Sequence, residues 1–346
     1  MWRWVICNIL FLLTFSVSAT EFPARAVTLV MPYPISGPTD IRGAQRMTKT
    51  YKLMAANAPP AISDTLGRIV QQAVRYNSKY PVHIERQPGG ATTRGAQHVA
   101  RALADGHTLL LASNATMVLT PQYASDIGYH PVKDFQLVAP LVNMPFVLMA
   151  STGLPYKTLP QIINWVKHKP GELNYASSGD GSTGHLAGEL FRRATSLDMM
   201  HVSYNGGLSA LNAVATGHVA MMFAALPLAL PYQQNEHLRM LALASSKRSS
   251  ILPDLPTLTE AGVPNVEADA WFGIFAPHGT PGNALRWLNE QITEALADGN
   301  TRSQLRALGL EPVSMPASQF AMRIYSEFEK WGPVIRDSRI SLAKPS

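Results

Sequence analysis

"ASSGDGSTGHLAGELF", residues 176–191, decides how the rest of the chain is read. Gly179-Asp-Gly181-Ser-Thr-Gly184 is a literal match to the dinucleotide fingerprint G-x-G-x-x-G, placed between a strand-like run, Leu173 to Ser177, and a helix that opens near Thr183. A dinucleotide fold also needs an acidic residue at the end of the next strand, about 20 residues on, to hold the ribose hydroxyls. Here that strand ends in His201-Val-Ser-Tyr-Asn205-Gly, and Asp198 precedes it. The fingerprint also lies mid-chain instead of at the first strand–helix turn of its domain. The motif therefore reads as an anion loop with no nicotinamide cofactor. Ser177, Ser178, Ser182 and Thr183 offer hydroxyls, Gly179, Gly181 and Gly184 let backbone N–H groups face outward, and the helix start adds its positive end. N-capping by Ser182 or Thr183 is the plainer role for the same residues.

Three further strand ends carry loops of the same character. The run Val27 to Met31 leads into "PYPISGPTD" (32–40), Thr108 to Ala112 into "SNAT" (113–116), and Met200 to Val202 into "SYNGG" (203–207). Ligands of open α/β sheets bind at the carboxyl ends of the strands, so these loops are expected to meet in one cleft. Short β-branched runs alternate with helical patterns at Ala96–Leu103, Leu159–Lys167, His185–Ala194 and Ser209–Thr216. Such alternation predicts α/β layers with mainly parallel sheets. Near the end, Phe320, Ile324, Phe328, Trp331 and Ile335 recur at spacings of three and four, a core-facing helix over 316–335.

The first residues set the compartment. Arg3, an apolar run from Val5 to Phe15 and the small-residue site Ser16-Val-Ser-Ala19 make a secretory signal peptide, too short to span a bilayer, with cleavage expected after Ala19. The single cysteine, Cys7, lies inside that run, so the mature chain has no disulfide and needs an ordinary core. Its length suits two domains. Loss of Arg3 lowers the formal charge from +6 to +5, spread thinly, with no basic run of the kind that binds nucleic acid.

Catalytic and metal constellations are not evident. Ser182, His185 and Asp180 can be combined on paper, but they are local and no Gly-x-Ser-x-Gly elbow occurs, so no catalytic residue is assigned. His98, His107, His185, His201 and His218 lack ligand spacing, so no metal site is assigned either.

Several long blocks, in order, carry a family resemblance: "FPARAVTLVMPYPISGPTD", "RQPGGATTRGAQHVARALADGHTLLLAS", "LNYASSGDGSTGHLAGELF", "MMHVSYNGG", "SSKRSSILPDLPTLTEAGVP", "WFGIFAPHGTP" and "LRALGLEPV". The chain from about Glu21 onward resembles the extracytoplasmic solute receptors of the tripartite tricarboxylate transporter family, the Bug-type binding proteins. The resemblance implies a type II periplasmic-binding-protein fold: two α/β lobes, joined by crossover strands, that close on a small organic carboxylate. It implies lobe 1 over 20–144 and 272–346, lobe 2 over 145–271, and crossovers near Pro145–Ala150 and Trp271–Pro277. Carried over residue by residue, the ligand contacts are Tyr33, Ser36, Gly37, Thr39 and Asp40 with Ser113, Asn114 and Thr116 from lobe 1. Lobe 2 contributes Ser177, Ser178, Gly181, Ser182, Thr183 and His185, with Tyr204 and Gly206 beside them. It further implies a periplasmic monomer that touches transporter membrane subunits transiently; a receptor acting on a sensor protein and, more remotely, a secreted enzyme remain alternatives.

Two departures from the family pattern stand out. After Met221-Met-Phe223 the family often shows acidic and amide residues, whereas Ala224 and Ala225 stand here, which argues for a non-amino mono- or dicarboxylate. The family's glycine-rich turn and helix start occur twice, as Gly37-Pro-Thr-Asp40 and as Ala61-Ile-Ser-Asp64-Thr-Leu-Gly-Arg68. Residues 41–62 therefore look inserted, with Arg42, Arg46, Lys49 and Lys52 on one face if helical, and either Asp40 or Asp64 holds the family position.

Overall fold

The computed structural model describes residues 22–33, 62–124, 126–313, 315–338 and 340. The leader at 1–19, the loop residues Ser36, Gly37, Thr39 and Asp40, and the inserted segment up to residue 61 lie outside the described residues.

Two sheets organise the molecule. The first joins β1 (Val27–Met31), β2 (Val82–Arg86), β3 (Thr108–Ser113), β4 (Phe135–Met144), β10 (Ala270–Pro277) and β11 (Glu311–Pro312) in the order β11-β4-β10-β3-β1-β2. The second joins β5 (Phe146–Ser151), β6 (Leu173–Ser177), β7 (Met199–Ser203), β8 (Met221–Ala225) and β9 (Leu238–Leu243) in the order β7-β6-β8-β5-β9. The expectation of mainly parallel sheets is corrected, because both are mixed. β1 pairs in parallel with β2 and β3, and β6 with β7 and β8. β10 runs antiparallel to β3 and β4, and β5 antiparallel to β8 and β9. The chain passes from one sheet to the other at Pro145 and returns after β9, so the strands beside each crossing enter against the parallel set.

Helices cover the sheets with the faces that their patterns predict. On α1 (Ile62–Tyr76), Leu66, Ile69, Val70 and Val74 are buried against β1 and β2. Each such side chain stabilises the layer by about 1.5–3 kcal/mol. α2 (Thr93–Ala100) follows β2, α3 (Leu159–His168) follows β5, α4 (Thr183–Thr195) follows β6 and α5 (Gly207–Ala215) follows β7. After β10 come α6 (Gly282–Ala297), α7 (Gly299–Ala307) and α8 (Ala317–Asp337). On α8, Phe320, Ile324, Trp331 and Ile335 are buried and Phe328 is half-buried, as their spacing requires. No helix among the described residues is long and apolar enough to cross a membrane.

Two glycines of α4 explain how it lies so close to its sheet. A Cβ on Gly184 would stand 2.6 Å from the Phe223 carbonyl oxygen, and one on Gly188 would stand 2.1 Å from the Tyr175 ring. The third glycine of the fingerprint thus serves helix–strand contact, a role independent of any pyrophosphate.

One apolar cluster runs through both lobes. It links Leu110, Met117 and Leu119 of the first with Phe146, Phe191 and Phe223 of the second, and closes with Trp271, Phe320 and Trp331. α8, whose apolar face belongs to that core, also ties the lobes by hydrogen bonds. Arg323 donates to Asn143 of β4 at 2.6 Å, Trp271 of β10 donates to buried Glu327 at 2.9 Å, and Arg193 of α4 donates to Asp337 and to the Pro333 carbonyl.

Candidate functional site

The segment between β6 and α4 is a compact hydrogen-bonded loop. Gly179 (φ 140°) and Gly181 (φ 72°) adopt conformations that L side chains disfavour, which lets the chain reverse within four residues. Ser177, fully buried, receives the Gly179 N–H at 3.2 Å and pairs with His201 Nε2 at 2.7 Å. Ser182 caps α4 by accepting the His185 N–H at 3.3 Å. The His185 ring turns back into the loop, where its Nδ1 accepts the Gly181 N–H at 3.1 Å. That bond requires a bare Nδ1, so His185 is neutral with its proton on Nε2.

The loop is braced from below and beside. The rings of His185 and His201 stack, with centroids 3.7 Å apart and planes within 5°. Tyr175 of β6 packs against His201 at 5.0 Å and donates to Glu189 Oε1 at 2.7 Å. Burial lowers the His185 pKa to about 4, helped by His201 and opposed by Glu189 and Asp180. His201 is also lowered, chiefly by burial. Burial would raise Glu189, but the Arg192 and Tyr175 bonds outweigh it and hold the carboxyl below its usual range. Beside the loop, the Tyr204 N–H donates to the Ser177 carbonyl at 3.1 Å and the Gly206 N–H to the Ser178 carbonyl at 3.3 Å. The starts of α4 and α5 are thereby held side by side.

The opposing face comes from the first sheet. β3 ends at Ser113, and Asn114 reaches across to donate to Thr183 Oγ1 at 3.4 Å. Thr116 is fully buried; its hydroxyl pairs with Thr92 at 2.8 Å and its carbonyl accepts from Tyr129 at 2.5 Å. The Tyr33 hydroxyl is buried without a well-formed hydrogen bond, beside Ser113 and Thr116, and burial raises its pKa. A Cβ on Gly181 would fall 2.9 Å from the Tyr123 ring, so the two faces touch there as well.

Ser113, Asn114 and Thr116 thus lie on one face, with Tyr33 against them. Ser177, Ser178, Gly181, Ser182, Thr183, His185, Tyr204 and Gly206 form the other. Asp64 is engaged elsewhere, since its carboxylate accepts from Arg86 at 2.7 Å and ties α1 to the end of β2. Three residues that the sequence reading did not single out belong to the site's frame: Thr92, Tyr123 and His201. Thr92 closes a run of positive φ angles at Gly89 (123°), Gly90 (57°), Ala91 (51°) and Thr92 itself (78°), and the Pro88-Gly-Gly90 turn signal marks its start. Tyr123 and His201 leave no local signal, because their partners are distant in sequence.

Asp180, His185 and His201 present ligand atoms within 4.8 Å of one another, a spacing that would suit a metal. The stack argues against it. A nitrogen lone pair lies in the plane of its ring, and two parallel rings 3.7 Å apart cannot both aim at one ion. Residues 113–116, 177–183 and 203–207 include no lysine or arginine. What they present to an anion is amides, hydroxyls and two helix starts, with the exposed Asp180 carboxylate as the one opposing charge among them.

Two α/β lobes whose strand-end loops meet, through Asn114 and Thr183 and through Tyr123 and Gly181, define the class of two-lobed solute-binding receptors. The chain belongs to the tripartite tricarboxylate transporter receptor family, whose model matches residues 66–340. It is 30% identical over 327 residues to Protein BugT of Bordetella pertussis, covering 94% of this chain and 93% of that one. Among solved structures it is similar to R. palustris Rpa4515 with adipate (28% identity, TM-score 0.74, 93% of this chain and 99% of that one). It is likewise similar to MatC from Rhodopseudomonas palustris with bound malate (30% identity, TM-score 0.70, 91% of this chain and 100% of that one). The family is one of solute-binding receptors.

Proposed function

We propose that this chain captures a small non-amino mono- or dicarboxylate between its two faces and hands it to the membrane subunits of a tripartite tricarboxylate-type transporter. The observation that carries the reading is the pairing of α4 and α5 starts on one face, with Asn114 of the other face already bonded to Thr183. Free N–H groups at a helix start attract an anion, and each hydrogen bond to a charged acceptor contributes about 1.5–3 kcal/mol. Two relatives of similar fold hold adipate and malate, which supports a carboxylate. Ala224 and Ala225 at the end of β8 offer no side-chain partner for a ligand amine, which supports a non-amino acid.

The ligand contacts proposed are Tyr33, Ser113, Asn114 and Thr116 on one side, and Ser178, Ser182, Thr183, Tyr204 and Gly206 on the other. Ser177, Gly181 and His185 shape the loop through the bonds described above. A ligand bonded to both faces favours the closed arrangement over an open one, and the lobes move about Pro145 and the return segment before β10. Sheet membership supports a division of 20–144 with 272–346 against 145–271, apart from Ala270 and Trp271, which pair with β4 in the first sheet. The receptor acts as a periplasmic monomer without turnover of the acid.

A thermal-shift screen against mono-, di- and tricarboxylates, amino acids and nicotinamide nucleotides tests this. A ligand at 100 times its Kd adds about 2.7 kcal/mol to stability. Shifts with one class of non-amino acids are expected. Tighter binding of aspartate or glutamate would overturn the non-amino assignment, and shifts with nucleotides alone would overturn the receptor reading.

A further inference from the structure

His201 lies on β7, one strand away from the loop that receives the ligand, yet two of that loop's internal contacts depend on it. Its Nε2 is 2.7 Å from Ser177 Oγ, the hydroxyl that holds the Gly179 amide, and its ring covers His185, which holds the Gly181 amide. The β6–β7 register puts Tyr175 directly opposite His201, so the ring is also supported from its own sheet. We propose that His201 is a positioning residue for the ligand: its uncharged ring, stacked on His185 and bonded to Ser177, keeps residues 177–182 in the binding shape, and protonation of the pair releases the ligand. The proposal rests on the carboxylate reading above.

Two physical facts make the pair sensitive to charge. A proton on His185 Nδ1 would face the Gly181 N–H, replacing an acceptor by a second donor and breaking that bond. Two imidazolium rings stacked at 3.7 Å would repel strongly where water is scarce. The groups that face the pair are Asp180 from the loop, with Oδ1 3.6 Å from His201 Nδ1, Tyr175 from β6, and Glu189 from α4, the last already bonded to Arg192. Asp180 and Glu189 favour a proton on either ring, but Asp180 is exposed and Glu189 is engaged with Arg192, and burial outweighs them. Because both rings titrate below an ordinary histidine, the folded loop is fully favoured above about pH 6.5 and loses support as the pH falls toward 4.

The test measures affinity for adipate and for malate at about pH 7.5 and about pH 5.5 in the wild type, His201→Phe and His201→Gln, together with the thermal midpoint of each ligand-free protein across the same range. The wild type is expected to lose about twofold in affinity on acidification, because His185, with its pKa held at about 4, is still mostly neutral at the lower pH. His201→Gln should weaken binding at the higher pH. His201→Phe, which keeps a ring over His185 but cannot charge, should bind more weakly than the wild type and show a flatter pH profile. Variants with wild-type affinity and profile, or tighter wild-type binding at the lower pH, would overturn the proposal. If the wild type binds neither acid, the assignment of these acids fails by itself. The thermal profile then decides: His201→Phe must lose less midpoint on acidification than the wild type, and identical profiles would overturn it.

Discussion

On the second-sheet side, the amides of Gly179 and Gly181 and the hydroxyls of Ser177 and Ser182 all bond within the loop, to the start of α4 or to the neighbouring His201. On the first-sheet side, among the described residues, the Tyr33 hydroxyl is buried beside Ser113 and Thr116 without a well-formed hydrogen bond, and Thr116 bonds to Thr92 and Tyr129. One face is therefore closed by its own bonds, while the other, among the described residues, keeps a buried hydroxyl without a well-formed bond. A preformed face limits the entropy lost on binding, and an unsatisfied donor rewards the correct ligand by more than an ordinary hydrogen bond.

The largest way to break this contrast is to disturb the packing beneath the built face. Gly188→Ala puts a methyl into the Tyr175 ring, which is fully buried, and should destabilise the protein by about 3 kcal/mol in urea unfolding. Gly181→Ala acts on the loop itself, through its φ of 72° and through contact with Tyr123, and should cost about 2 kcal/mol of stability together with affinity for any carboxylate that binds. If either variant unfolds like the wild type, the loop is softer than its bonding implies. The opposite face should respond in the opposite sense. Tyr33→Phe removes a hydroxyl that has no well-formed bond among the described residues, so stability should hold or rise slightly while affinity falls about tenfold, or 1.4 kcal/mol. Unchanged affinity would mean that Tyr33 is packing alone, against Phe272.

A smaller effect sharpens the contrast at the hinge. Asp269, in the return segment before β10, accepts from Ser245, and burial pushes its pKa up to about 6. A carboxyl with a raised folded pKa contributes stability at low pH and loses it as the pH rises through about 6, the reverse of the histidine pair. Asp269→Asn should therefore stabilise the protein by about 1 kcal/mol near pH 7.5 and by almost nothing near pH 3.5, below the ordinary aspartate value, measured by thermal unfolding at both values. A stabilisation independent of pH would show that Asp269 does not titrate in this range.

The strand-end loops were legible because their signals are local: glycines, hydroxyls and a capping serine follow an apolar run in each case. Helices α3, α4 and α5 lie within two residues of their predicted ends, since their apolar period is clear. β4 was not legible as a strand, and Pro140 at its centre is the reason. The sheet admits that proline through two register shifts, in which β4 itself carries the extra residue, Leu141 on one side of the proline and Val138 on the other, opposite an unbroken β10. His201 was dismissed with the other histidines because its meaning lies in a stack with a residue of another element. Thr92 was within reach, since Pro-Gly-Gly announces a turn, but its bond to Thr116 depends on how two loops meet.

The order of strands in the first sheet has a consequence for how the chain is made. β10, which begins at residue 270, lies between β3 and β4, whereas every strand of the second sheet is available once residue 243 has emerged. During synthesis the second lobe can close first, while β3 and β4 wait with unpaired edges for a partner more than 120 residues downstream of β4. The half-made receptor is thus a finished lobe attached to an open one, and that interval, more than any weakness of the completed fold, is when the chain most needs protection from aggregation.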